Sequence, residues 1–145
     1  MRKPFGGIVL DTAFRMIVPF TFIYGIYALT HGEYSPGGGF QAGAVLAVGI
    51  VLARLIRGED AKFNVKGITA VMLAGIGAFI YALTGIIPML CGGNFLDYSY
   101  LPVHMHELAE VHALGILLIE IGVTITVMMT IIAIMDIIIK KEDIE

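Results

Sequence analysis

Residues Gly67–Leu90 read GITAVMLAGIGAFIYALTGIIPML, an unbroken run with no charged side chain. About 20 mostly apolar residues suffice to cross a bilayer as a helix. Inside hydrocarbon every backbone N–H and C=O must be paired within the segment, so the run has to be helical. Three more long, mostly apolar stretches flank it, at about 8–30, 38–56 and 107–139. Composition agrees: 58% of the 145 residues are hydrophobic and 14% are charged, against about 25% charged in a soluble domain. The mean hydropathy is +0.90. The expected fold is all-α, a single membrane domain over 1–145 that crosses the cell membrane four times. Asp11 and Arg15 interrupt the first apolar run, which argues for a retained helix rather than a cleaved signal peptide. One cysteine, Cys91, excludes an internal disulfide and a cysteine-cluster metal site.

The cationic residues sort onto one side of this layout. Arg2, Lys3 and Arg15 open the chain, Arg54, Arg57, Lys62 and Lys66 surround the loop between spans 2 and 3, and Lys140 and Lys141 follow span 4. The other two loops carry none. The positive-inside rule then places both termini and the middle loop in the cytoplasm. Asp11 and Arg15 are spaced to pair along one helix face, and Asp136 is spaced to pair with Lys140. Pro19 deprives the Arg15 carbonyl of its helical partner and is expected to kink span 1. Span 4 is longer than a hydrocarbon core of about 30 Å requires, so it must tilt or project.

Between spans 1 and 2 lies His31-Gly-Glu-Tyr-Ser-Pro-Gly-Gly-Gly-Phe-Gln-Ala-Gly43. It resembles a phosphate-binding loop only in its glycines. It lacks the Gly-Lys-Ser/Thr ending and no strand precedes it, so neither nucleotide nor nucleic acid is an expected partner. Two readings remain. Pro36, Gly37, Gly38, Gly39, Gln41 and Gly43 form a close-packing element that lets spans 1 and 2 approach, with Gly39, Gly43 and Ala47 building a flat face. Alternatively span 2 starts part-way into the membrane, and unwound backbone lines a polar cavity near Gln41. The packing reading is preferred.

Span 4 contains Glu120. A carboxylate inside a spanning helix is costly and marks a functional site by default. On its face only Thr124 is polar. Gly115 and Gly122 lie on the opposite side and suit close helix contact, so span 4 is expected to be enclosed in part by other subunits. At the start of span 4, His104, His106, Glu107, Glu110 and His112 form a second polar cluster. His106 and Glu110 stand one helical turn apart, but the pattern is not that of a His-Glu-x-x-His metalloprotease. No metal site is expected. The imidazoles suit proton collection. The candidates for an ion or proton pathway are Glu120, Thr124, Glu110 and His112.

The segment from His31 to Val45 resembles the signature of the B subunit of the multisubunit Mrp (Mnh) sodium/proton antiporters. That signature joins an apolar helix, a Ser-Pro-Gly-Gly-Gly-Phe-Gln-Gly-Gly-like stretch and a second helix. A closing helix with Leu-Gly-Ile and Ile-Gly-Val, like His112-Ala-Leu-Gly-Ile and Glu120-Ile-Gly-Val, is similar as well, and the resemblance covers nearly the whole chain. Ala42 stands where the pattern commonly has glycine, Glu33-Tyr34 replace a more usual polar pair, and Glu120 replaces an apolar residue. The resemblance implies a non-catalytic accessory subunit among other membrane subunits, working with sodium ions and protons. It also extends to the corresponding module of archaeal membrane-bound hydrogenase and sulfane sulfur reductase complexes. The chain itself shows no cofactor ligands and no nucleophile constellation. The rival readings are a freestanding homo-oligomeric transporter and a membrane metalloenzyme using the His104–His112 cluster.

Overall fold

The computed structural model describes residues 6–32, 38–57, 61, 65 and 67–142, with side chains to residue 138. Four helices account for most of them: α1 Ile8–Thr30, α2 Gly39–Arg57, α3 Gly67–Leu90 and α4 Leu108–Glu142. A 3-10 turn, Tyr98–Tyr100, interrupts the loop between α3 and α4. All four helices are long and apolar enough to cross a membrane, and no strand occurs among the described residues. α1 runs through Pro19 without a break in its helical assignment. Its Asp11 accepts from Arg15 Nε at 2.7 Å.

The helices pack in the spatial order α1, α2, α4, α3. Small residues set this order. Between helices in lipid the hydrophobic effect offers little drive, and association rests on van der Waals packing that glycine brings close. Gly25 of α1 lies against Leu46 and Ala42 of α2, and Gly49 of α2 lies against Thr21 of α1, so these two helices are antiparallel. α2 and α4 run parallel: Gly39 meets the backbone of Glu120, and Gly43 meets that of Thr124. On the other side of α4, Gly122 touches the backbone of Gly77 and Tyr81 in α3. The Thr126 hydroxyl donates to the Gly122 carbonyl at 2.8 Å and reaches the Ala74 carbonyl at 3.3 Å in the same seam. Ile50, Ala70, Met129, Ile132 and Ala133 form a buried cluster that joins α2, α3 and α4.

One expectation changes here. Gly39 and Gly43 serve the α2–α4 contact, whereas the α1–α2 contact uses Gly25 and Gly49. Within the chain, α4 is flanked by α2 on its Glu120 side and by α3 on its Gly122 side. Gly115 packs under the ring of Tyr98 rather than against a helix, because α3 has already ended at Leu90 and the following loop folds back there. The outer helices keep large apolar side chains exposed, among them Val9 and Phe20 of α1 and Ile68 and Leu90 of α3. Such surface belongs against lipid or a protein neighbour.

One end of the assembly is held by charge. Asp136 of α4 accepts from Arg54 Nη1 of α2 at 2.6 Å, and Arg54 Nη2 donates to the Val65 carbonyl. Asp136 thus finds a partner across the helices; the side chain of Lys140, one turn ahead, lies outside the described residues. The Arg54 side chain is 16% exposed and that of Asp136 18%. Removing one partner of a fully buried pair costs about 3–5 kcal/mol. With this residual exposure, Arg54→Ala should cost about 1–3 kcal/mol, read as a lower thermal denaturation midpoint of the full chain in detergent. The double change Arg54→Met with Asp136→Leu should be milder than either single loss, since no orphaned charge remains.

Candidate functional site

Glu120 and the glycine-rich segment, far apart in sequence, meet in the structure. Gly32 follows the end of α1, and a Cβ placed there would stand 2.8 Å from Glu120 Oε2 and 2.9 Å from its Cδ. Gly38 has φ of 106°, a conformation that side chains disfavour, and its Cβ would lie 3.1 Å from Oε1. Gly39 opens α2 pressed on the Glu120 backbone. Missing side chains at 32 and 38 therefore make room for the half-buried carboxylate, and the one at 39 lets α2 close on its backbone; together the three glycines form a cradle for Glu120. Pro36 and Gly37 lie outside the described residues.

The cradle is also a helix N-terminus. The first turn of α2 has backbone N–H groups without intrahelical acceptors, and the helix dipole puts partial positive charge there. Glu120 supplies the opposite charge from another helix. One turn on, Thr124 is buried, and its hydroxyl donates to the Gly39 carbonyl at 3.0 Å. That bond fixes the register of α2 on α4. Gln41 turns toward α1, where its Nε2 donates to the Tyr24 hydroxyl at 3.2 Å.

Position along the bundle follows from the register. Residues 120 and 136 are separated by about 24 Å of helix at 1.5 Å per residue. Glu120 and the start of α2 thus lie toward the opposite face of the bundle from the Arg54–Asp136 pair.

An open groove of about 600 Å³ approaches from that opposite face. It is lined by Thr30, His104, Met105, His106, Glu110, Ala113, Leu114 and Leu117. Positions 110, 113, 117, 120 and 124 follow one stripe of α4, so the groove descends toward Glu120. The reason is length: α1 and α2 end near the Glu120 level, and α4 continues about three turns beyond. Glu110 stands in the groove. His112 does not; its Nε2 lies 2.9 Å from Ser99 Oγ, and its ring meets Tyr98 edge-on at 6.2 Å. Burial pushes the Tyr98 phenol up, with a smaller push from Tyr81, so it stays a neutral packing group over Gly115. No group of three or more His, Cys, Asp or Glu side chains suited to a metal occurs among the described residues.

Sequence reasoning treated the glycine segment and Glu120 as separate features and did not single out Gly32 or Thr30. The Gly32 signal was available only as the small residue after His31, whose ring stacks on Tyr27 at 4.3 Å.

The family described as "Domain related to MnhB subunit of Na+/H+ antiporter" matches residues 9–133, which include the cradle, the groove stripe and Glu120. The chain belongs to this family. The "Putative antiporter subunit mnhB2" of Staphylococcus haemolyticus (strain JCSC1435) is 33% identical over 128 residues, covering 88% of this chain and 91% of the relative. The protein of the same name from Staphylococcus aureus (strain Newman) is 29% identical over the same shares. With its four spanning helices, this MnhB-family chain is a multi-pass protein of the cell membrane.

Proposed function

We propose that this chain is the B-type accessory subunit of a multisubunit sodium/proton antiporter, one membrane domain with both termini in the cytoplasm. Family membership and the names of its relatives support the assignment. The apolar outer faces of α1 and α3 provide surface for sister subunits and lipid. Within this role Glu120 is the group that takes up and releases a proton, or holds a cation in passage. The observation that carries this reading is the seat of its carboxylate. It lies against Gly32 and Gly38, on the same α4 stripe and about one turn beyond Leu117, the last α4 residue lining a groove that also holds His104, His106 and Glu110. Thr124 holds the floor of the seat, and His104, His106 and Glu110 exchange protons with the aqueous side.

The reading separates from a freestanding transporter by reconstitution. Membrane vesicles lacking only this chain should lose sodium-dependent proton movement, measured with a pH-sensitive dye, and regain it when the chain is restored. The purified chain alone in vesicles should show none. Transport by the chain alone would overturn the accessory role.

A further inference from the structure

A second cavity lies at the charged end of the molecule, on the opposite side of α2 from the ion-pathway candidates. It has a volume of about 390 Å³ and is lined by Arg15, Val18, Pro19 and Phe22 of α1 and by Ala53, Ile56 and Arg57 of α2. Its chemistry is graded along its length. Arg15, Val18, Pro19 and Phe22 follow one face of α1, from a cation at the charged level to an aromatic about 10 Å deeper. On α2, Arg57 stands at the same end, with Ile56 and Ala53 below it. Arg15 gives Asp11 its Nε donor at 2.7 Å and a weaker Nη2 contact at 3.5 Å. A guanidinium carries five N–H donors, so donors remain for a second acceptor. The Arg15 side chain is 54% exposed.

We propose that this groove is a binding site for one anionic phospholipid. The phosphate sits between Arg57 and Arg15, and an acyl chain lies along Val18, Pro19, Phe22 and Ile56. The apolar floor distinguishes a lipid from free phosphate, which would gain nothing there. A sister helix fits less well. Helix contacts inside membranes favour small residues, and Gly25, Gly39, Gly43, Gly49, Gly77 and Gly122 lie on internal seams, while the groove presents branched and aromatic side chains under two cations. Basic pockets between spanning helices on the cytoplasmic side suit anionic headgroups in this way. The site holds whether or not Glu120 carries ions.

Native mass spectrometry of the full chain, titrated with dioleoylphosphatidylglycerol or dioleoylphosphatidylcholine, tests the proposal. One phosphatidylglycerol should be retained in preference to phosphatidylcholine by about tenfold or more. Arg57→Gln should reduce that preference about fivefold, and Arg57→Lys should keep most of it. Arg15→Gln should reduce it as well. Ala53→Phe, which fills the groove and leaves both cations, should displace lipid of either headgroup and covers the case in which loss of an arginine impairs folding. Equal affinity for the two lipids would overturn the proposal, as would an unchanged preference in Arg57→Gln. So would displacement by millimolar inorganic phosphate, which would mark a free-anion site. Absence of the arginine-dependent lipid from the intact multisubunit complex would also overturn it, showing the groove closed by protein.

Discussion

Glu120→Gln should abolish most of the sodium-coupled proton transport of the assembled complex while leaving assembly intact. Glutamine keeps the shape of the side chain, so the cradle of Gly32, Gly38 and Gly39 remains filled. What is lost is the titratable proton and the negative charge at the N-terminus of α2. A positioned proton-transferring side chain contributes about 10²- to 10⁴-fold to the steps that depend on it, so a fall of at least about a hundredfold is expected. The stability cost should be small, since a charge at a helix N-terminus contributes about 0.3–2 kcal/mol. Glu120→Asp retains the charge but shortens the reach into the cradle, and should give intermediate transport. The readouts are dye-monitored proton flux on adding sodium, and the amount of the complex recovered after solubilisation. Normal flux in Glu120→Gln would make the acid a structural cap, and the pathway assignment would fail.

The spans were legible in the sequence for a simple reason. In hydrocarbon an apolar run of this length has one backbone solution, so α1 and α3 begin and end where composition places them. The acid at 120 stood out by its cost inside a spanning helix. Its surroundings were not legible. Helical periodicity gives the face on which a residue lies, but not which helix will cover that face. Gly32 and Gly39 meet Glu120 only because α2 runs parallel to α4 in one register, and Thr124 with Gly39, and Arg54 with Asp136, fix that register from both ends. Both links join residues more than 80 positions apart. Local spacing offered Asp136 only Lys140, a pairing within one helix, and gave no sign of Arg54 across the bundle.

The same register predicts the largest loss of stability. A Cβ at Gly43 would stand 2.7 Å from the Thr124 carbonyl oxygen, 2.9 Å from Val127 Cβ and 3.2 Å from Thr124 Cα. Two of these are backbone atoms of a helix packed on its other side by α3, so no flexible side chain can swing away to make room. Overpacking of this kind costs about 1–3 kcal/mol for a single added carbon, and Gly43→Ala should lower the thermal midpoint of the detergent-solubilised chain accordingly. Gly43→Leu should separate α2 from α4, break the Thr124–Gly39 hydrogen bond and prevent assembly. Gly75 provides the control within the same molecule. It is an exposed helical glycine in α3 with nothing within 4 Å of its added Cβ. Gly75→Ala should be neutral or stabilising by about 0.5–1 kcal/mol from helix propensity. The contrast isolates packing from propensity, because both changes add one methyl to a glycine inside a spanning helix. Equal midpoints for the two variants would mean that Gly43 does not face the α4 backbone, and the cradle around Glu120, which depends on the same register one turn earlier, would fall with it.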